Sequence, residues 1–288
     1  MKKVHSVVLL WAIGAAAVLT ALALTAATYA WFTVNREVQT DRVTSRTGDD
    51  TVELQISNQG GDAFTPMKDA TGEFNEAPLK EQEHPLLPVS TADLSSFVYN
   101  PFTKDGVAET FLPVVYDENP IYYHDTVYLR AVGESLPEGT RVALYLDRPE
   151  TPLVQHETGE LLTAARLGLT FDQANPVIFR LSDVDEGEGN TSPGGTPLGK
   201  GMVLTLQGGT ATPVSDPAVS ISDRQITEDG GAGPEPLLIM ELDRIYAVDV
   251  YFYLEGCDPD CLDERVGRDE AVFNLAFYGI LTDEEASP

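Results

Sequence analysis

Hydrophobic and polar residues alternate along many short stretches of this chain. In one of them Val52, Leu54 and Ile56 lie two residues apart, with polar residues between them. In residues 141–147, Val142, Leu144 and Leu146 have the same spacing. Successive side chains of a β-strand point to opposite faces, so this spacing places the apolar residues on one face. The pattern therefore predicts half-buried β-strands.

About eight strands are expected, separated by turns that are rich in glycine, proline and aspartate. The strand-like segments are residues 51–57, 111–116, 120–132, 141–147, 161–171, 177–181, 237–254 and 271–280, and residues 37–44 fit either a strand or an extended arm. Residues 161–171 fit either a helix or a strand at their start and a strand at their end, and a turn is expected near Asp243. Many short strands with frequent turns predict a mainly β fold, an antiparallel, jelly-roll-like β-sandwich.

Three long stretches lack a strand pattern and are predicted to be loops. They are residues 60–110, 182–200 and 207–236. Each combines glycine and proline with acidic or small polar residues, a composition typical of connections on the surface. We therefore expect one β-sandwich domain over residues 51–288 with these three loops projecting from it.

The first 30 residues have the pattern of an export segment. Lys2 and Lys3 form a short positive region, and no charged residue occurs between Ser6 and Asn35. The apolar run is about 20 residues long, which is the length needed to cross a bilayer. This pattern predicts an N-terminal signal or transmembrane helix ahead of the β domain.

The fate of this helix has two alternatives. Thr28 and Ala30 are small residues at the −3 and −1 positions of a signal-peptidase site, and cleavage there makes Trp31 the first residue. The length of the apolar run favours instead an uncleaved anchor, with residues 7–30 in the membrane. In both cases the lysine pair stays inside, so the rest of the chain is extracellular or at the cell surface. Residues 31–50 then form an N-terminal arm or donor strand.

The charge balance limits the partners of the protein. The chain of 288 residues has 46 acidic and 18 basic residues and a net charge of −28. The first 30 residues contain two lysines and no acidic residue, so the chain without them has a net charge of −30. Such a surface repels phosphate backbones, which excludes nucleic acid as a partner, and it favours solubility.

Three short segments carry a family resemblance. Residues 27–35, with the sequence ATYAWFTVN, resemble the processing region of SipW-dependent secreted proteins. Residues 164–171 and 248–261 resemble segments of uncharacterised members of the same group. The group includes the TasA/camelysin family of Gram-positive surface and matrix proteins. The sequence between these segments departs from that of TasA itself.

The resemblance implies a jelly-roll domain that forms fibres, in which the N-terminal strand of one subunit completes the sheet of the next. Trp31, Phe32, Val34 and Val38 are the apolar residues that a donor strand here supplies. The predicted function is therefore that of a self-associating structural protein, a homo-oligomer or fibre, at the cell surface or in the extracellular matrix. Pairing of the same segment within its own subunit, as an edge strand, remains the alternative.

No catalytic motif is recognisable in the sequence. His5 lies in the export segment, and His84, His124 and His156 are far apart along the chain. The zinc-protease pattern of two histidines four residues apart is missing, as are the P-loop and the nucleophile elbow. The sequence therefore predicts that the protein is not an enzyme.

Two cysteines, Cys257 and Cys261, are the complete set. A local disulfide between them is favoured by export from the reducing cytosol, and Pro259 fixes the backbone between them. The alternatives are two thiols or a metal site, although two thiolates are an incomplete set for zinc.

Calcium is the one cofactor for which the sequence offers ligands. Asp258, Asp260 and Asp263 follow a predicted strand and have oxygen ligands near alternate positions, as calcium sites do. The acidic loop at residues 182–200 offers a second such set. Neither matches the EF-hand loop, and solvated acidic turns are the simpler interpretation.

Two other functions remain as alternatives. The first is a monomeric surface domain of binding type that residues 7–30 anchor in the membrane. The second, more distant one is a secreted hydrolase whose catalytic residues are not recognisable in the sequence.

Overall fold

The structure is a computed structural model of the chain. It describes residues 38–47, 52–60, 79–80, 84, 86–100, 102–103, 106–107, 111–118, 120–133, 136–137, 139–147, 164–181, 190–191, 197–199, 201–226, 235–258, 261 and 271–282.

The described residues are mainly β-strand, as the alternating pattern predicts. One 3-10 helix is present at Ile221–Asp223. In chain order the strands are β1 (Val38–Thr47), β2 (Val52–Ser57), β3 (Pro88–Val89), β4 (Val98–Tyr99), β5 (Phe102–Thr103), β6 (Gly106–Val107), β7 (Leu112–Pro113), β8 (Tyr123–Gly133), β9 (Arg141–Leu146), β10 (Ala165–Phe171), β11 (Ala174–Arg180), β12 (Asn190–Thr191), β13 (Pro197–Gly199), β14 (Met202–Gln207), β15 (Thr210–Ser215), β16 (Val219–Ser220), β17 (Leu238–Glu241), β18 (Ile245–Glu255) and β19 (Ala271–Thr282).

Two sheets contain most of the long strands. The seven-stranded sheet has the order β16-β11-β10-β18-β8-β2, with β3 paired to β18, and the four-stranded sheet has the order β1-β19-β9-β17. Most pairs are antiparallel, but β1–β19, β11–β16 and β18–β3 are parallel. The expectation of a purely antiparallel sheet was therefore wrong. The partners in these three pairs are far apart in sequence, so no hairpin turn forces them to run in opposite directions.

Both sheets contribute side chains to one main hydrophobic core. In β8, buried and half-buried residues alternate along the strand, which shows the predicted period of two. The core includes Leu54 of β2, Leu144 of β9, Leu167 of β10, Val250 of β18 and Phe277 of β19, each at most 1% exposed. A second apolar cluster lies on the other face of the larger sheet. It contains Tyr253 of β18 and Ile178 of β11, together with Phe97 and Tyr122.

All three predicted loops contain short strands: β3 to β6 lie within residues 60–110, β12 and β13 lie within residues 182–200, and the third loop shares a longer hairpin. The connection expected at residues 207–236 begins inside a hairpin of β14 and β15, which pair from Met202 with Ser215 to Gln207 with Thr210. Gly208 and Gly209 form its turn with φ of 58° and 83°. Glycine adopts such positive φ values easily, and two in succession suit the tight turn of a hairpin.

The predicted N-terminal helix at residues 1–30 lies outside the described residues. Where the structure is described, no helix is long and apolar enough to cross a membrane.

Candidate functional site

The first candidate site is the edge of the four-stranded sheet formed by β1. This strand pairs in parallel with β19 of the same chain, from Val38 opposite Ala271 to Thr47 opposite Gly279, with an irregularity between Thr40 and Val43. No described strand lies on the other side of β1. Among the described strands, this side of β1 is therefore an edge that another strand can extend.

The neighbouring strand β19 is fitted closely to the core. A Cβ atom added at Gly279 would lie 2.9 Å from Cγ1 of Val142 on β9 and 3.0 Å from Cδ1 of Leu54 on β2. Real Cβ atoms essentially never come within 3.0 Å of such a neighbour, so a side chain at position 279 would force Val142 to shift. The strand that receives β1 is thus held firmly in place by its other neighbours.

Most of the residues predicted for processing and self-association lie ahead of β1. Thr28 and Ala30 of the cleavage site, and Trp31, Phe32 and Val34 of the donor segment, are outside the described residues. Val38 is the first residue of β1. The described part of the donor segment therefore pairs within its own chain, as the alternative to strand exchange anticipates.

A row of polar side chains crosses three neighbouring strands of the larger sheet. Asp249 on β18 lies between Thr126 on β8 and Thr170 on β10. The hydroxyl groups of Thr126 and Thr170 donate to the two carboxylate oxygens of Asp249 at 2.7 Å and 3.1 Å. Nε2 of His124 lies 3.4 Å from Oδ1 of Asp249.

The same contacts keep Asp249 ionised. Burial alone raises the pKa of this carboxyl, but hydrogen bonds from His124, Thr126 and Thr170 outweigh that effect, and the pKa of Asp249 is lowered. The carboxylate therefore holds three side chains in place on the face of the sheet.

Aromatic rings border this polar row. The ring of His124 stacks on Tyr251 with centroids 4.6 Å apart, and Tyr116 meets His124 edge-on at 5.6 Å. Tyr122 and Phe97 stack at 4.0 Å beside them. These ring contacts fasten the segments that carry Phe97, Tyr116 and Tyr122 to the sheet.

The second candidate site is a cluster of buried charges at the other end of the same face. Arg166 on β10 is 1% exposed. Its Nη2 donates to Oδ2 of Asp258 at 3.0 Å and lies 3.9 Å from Oδ2 of Asp216. Nη2 of Arg180 on β11 donates to the same Asp216 oxygen at 3.1 Å. Buried charges persist only when they are paired, so this cluster joins β10 and β11 to the segments after β15 and β18.

A buried carboxyl lies beside this cluster. Glu255, at the end of β18, hydrogen-bonds to the hydroxyl of Ser90 and accepts the N–H of Cys257 at 3.0 Å. Burial raises the pKa of Glu255 to about 7, although the hydrogen bond from Ser90 and the charge of Arg166 act in the opposite direction. Glu255 therefore changes its charge near neutral pH, far above the range of an exposed glutamate.

The predicted disulfide between Cys257 and Cys261 is not formed in the structure. Cys257 is fully buried and its Sγ donates to Oγ of Ser90 at 3.5 Å. It packs with Leu204 in a small cluster, whereas Cys261 packs against the main core. The turn at the end of β18 thus sends the two side chains to different clusters, and burial raises the pKa of the Cys257 thiol.

The calcium ligands suggested by the sequence are only partly described. Asp258 is buried and bound to Arg166, which differs from the solvated turn that its spacing suggested. Asp260, Asp263 and residues 182–189 lie outside the described residues. Within the part of the chain that the structure describes, no group of three or more histidine, cysteine or acidic side chains could hold a metal ion.

Sequence reasoning missed the buried charge cluster, although one signal was present. Arg166 lies inside an otherwise apolar strand, and Glu255 ends another. Charged residues are almost never fully buried unless they are paired, so both positions indicated hidden partners. Their partners Asp216 and Ser90 are distant in sequence, and spacing could not identify them.

The chain was compared with protein families, characterised proteins and solved structures. No protein family, characterised protein or solved structure matches the chain.

Proposed function

We propose that this protein is an exported structural protein of the cell surface or extracellular matrix that self-associates by exchanging its N-terminal strand. The observation that carries the proposal is the position of β1. It is an edge strand at the start of the described chain, and it pairs only with the C-terminal strand β19 among the described strands.

The same β1–β19 ladder can form within one chain or between two chains. Only residues 48–51 join β1 to β2, and these two strands belong to different sheets. In the exchanged form this connection extends and carries β1 to the β19 of a neighbour, as in domain swapping. Because the backbone hydrogen bonds are the same in both forms, high protein concentration favours the exchanged one.

The proposed exchange leads to fibres when each subunit donates one strand and accepts another. Such a head-to-tail contact does not close on itself unless a rotation brings the ends together. The fold that fits this assembly is a jelly-roll-like sandwich in which the two sheets are the two layers. Processing after Ala30 frees Trp31 and Phe32, whose apolar side chains then extend the contact with the neighbour.

The charge distribution supports this direction of assembly. Residues 36–47 contain three arginines and two acidic residues, whereas the chain as a whole has a net charge of −28. A donor segment of opposite sign is attracted to an acidic neighbour, and the attraction weakens with added salt.

Comparison of two purified proteins tests the proposal. The protein that starts at Trp31 is expected to form oligomers or filaments whose mass rises with concentration. The protein that starts at Gly48 lacks the donor and is expected to stay folded and monomeric. Light scattering gives the mass, and circular dichroism checks the fold of both.

A synthetic peptide of residues 31–47 serves as the matched control. It is expected to bind the protein that starts at Gly48, whose β19 edge is open, and to bind the longer protein more weakly. Monomers of both proteins at high concentration, with and without calcium, would rule out strand exchange.

The second candidate function is a monomeric surface domain of binding type, anchored by residues 7–30. The pairing of β1 with β19 of its own chain favours it. Under this alternative the protein that starts at Trp31 stays monomeric.

A further inference from the structure

The edge strand β1 contains one residue more than the part of β19 with which it pairs. Thr40 lies opposite Phe273 and Val43 lies opposite Leu275, so between these two pairs β1 has two residues where β19 has one. This arrangement is that of a β-bulge, which is rare between parallel strands and frequent at the edges of sheets. The bulge at residues 41–42 therefore separates β1 into two regular parts.

The sequence of β1 explains why the extra residue is present. The bulge residues are Asp41 and Arg42. Without a bulge, the register that starts at Thr40 would place Arg42 opposite Leu275. Leu275 is fully buried in the main core, and directly opposite residues of neighbouring strands share one face of the sheet. Charged residues are almost never fully buried unless they are paired, and the bulge brings Val43 to this position instead.

The bulge also interrupts the outer side of β1, the side on which no described strand lies. An extra residue disrupts the regular spacing of the backbone groups, so a regular strand can follow this side along residues 38–40 or along residues 43–47 but not along both. Bulges and charged residues are two features by which natural proteins keep the edges of their sheets from pairing. Asp41 and Arg42 combine both features.

We propose that the bulge at Asp41 and Arg42 closes the outer side of β1 to the strands of other chains. Chains then join through the β1–β19 ladder and not by pairing edge to edge. Its consequence for assembly rests on the proposed function: strand exchange gives a linear filament in place of a sheet that grows sideways. The closure itself is a property of one chain and holds with or without strand exchange.

A disulfide that locks β1 to its own β19 separates the outer edge from strand exchange. Thr44 of β1 lies opposite Ala276 of β19, and both are replaced by cysteine in the full chain in a mild non-ionic detergent. Cys257 and Cys261 are changed to serine. Oxidation in dilute solution favours the disulfide within each chain, and the product of monomer mass is isolated. Because a locked chain cannot exchange β1, this product is the parent for the comparison.

Deletion of Asp41 from the locked chain removes the bulge. The pairing of Thr44 and of the residues after it is unchanged, and Val43 still lies opposite Leu275. The outer side of β1 is then regular over its whole length. The locked deletion protein is therefore expected to self-associate at a concentration at least about tenfold lower than the locked parent, as measured by sedimentation velocity.

The locked variant Asp41→Asn is the matched control. It removes the charge but keeps the number of residues and hence the bulge, so it is expected to sediment like the locked parent. Association of the deletion protein and the parent at the same concentration would overturn the proposal. Association of Asp41→Asn at the concentration of the deletion protein would also overturn it, because the charge and not the bulge would then close the edge.

The internal disulfide is itself an outcome of the experiment. Its absence from the parent or from the deletion protein would overturn the proposal, because β1 would then not lie beside β19 in this register. Strand exchange is measured separately on chains that are not locked. If those chains stay monomeric, the proposed function fails, whereas the comparison of locked chains still decides whether the bulge closes the edge.

Discussion

At the scale of single residues, the buried charges are the part of the molecule that the sequence conceals best. Asp258 has the spacing of a solvated turn residue, yet its carboxylate is bound to Arg166, 92 residues away along the chain. Its role depends on which strand lies beside it, and β10 and β18 meet only in the folded sheet. The spacing of Asp258 suggested a calcium ligand, whereas in the fold its carboxylate binds the guanidinium group of Arg166.

Replacement of Arg166 by methionine is expected to lower the free energy of unfolding by about 3–5 kcal/mol. The reason is that Asp216 and Asp258 would stay buried without this cation. Denaturant unfolding of the variant measures the loss. Arg244→Met is the matched control: Arg244 is half exposed and pairs with Asp172 at 3.1 Å, so its loss should cost far less than the loss of Arg166.

A double variant separates the charge effect from the packing effect. Arg166→Met combined with Asp258→Asn removes the cation together with the carboxylate that it binds at 3.0 Å and leaves Asp216 paired with Arg180, so it is expected to recover most of the lost stability. A loss below about 1 kcal/mol for Arg166→Met alone would contradict the importance of this cluster.

At the scale of elements, the spacing of apolar residues two positions apart identified several of the long strands, although both faces of β9 are buried. The predicted segments at residues 51–57 and 141–147 correspond to β2 and β9, and the expected turn near Asp243 separates β17 from β18. The hairpin of β14 and β15 was missed where glycine, proline and threonine suggested a loop. The parallel pairing of β1 with β19 was also not predictable, because it joins the two ends of the described chain and leaves no local signal.

The fit of β19 leads to a prediction at this scale. Gly279→Ala is expected to lower the free energy of unfolding by about 1–3 kcal/mol, because the new methyl group meets Val142 and Leu54 at no more than 3.0 Å. Val142→Ala removes one of the two contacts. The double variant should therefore lose less stability than the two single variants lose together. The difference, measured by denaturant unfolding, is expected to be about 0.5 kcal/mol or more. Strict additivity would mean that the strand shifts rather than clashes.

At the scale of the whole molecule, the described chain is mainly β, and we propose that an export segment precedes it and that its edge strand is exchangeable. The sequence predicted the mainly β class from its alternating pattern. Export and self-association remain proposals, because the residues that carry them, Thr28, Ala30, Trp31, Phe32 and Val34, precede the described chain. In the structure β1 lies beside β19. Self-association by strand exchange therefore requires that the β1 of one chain pairs with the β19 of another chain.

Disulfide trapping across the β1–β19 ladder answers that question most directly. Thr44 of β1 lies opposite Ala276 of β19. Both are replaced by cysteine in the full chain, with Cys257 and Cys261 changed to serine, and the concentrated protein is oxidised in detergent. Thr44→Cys alone is the control, since a chain with one thiol forms nothing larger than a covalent dimer.

Strand exchange predicts covalent dimers and longer ladders of the double-cysteine protein on a non-reducing gel, which reductant collapses to the monomer. Full consumption of both thiols with every chain still at the monomer mass would show that β1 stays with its own β19, and it would contradict the account.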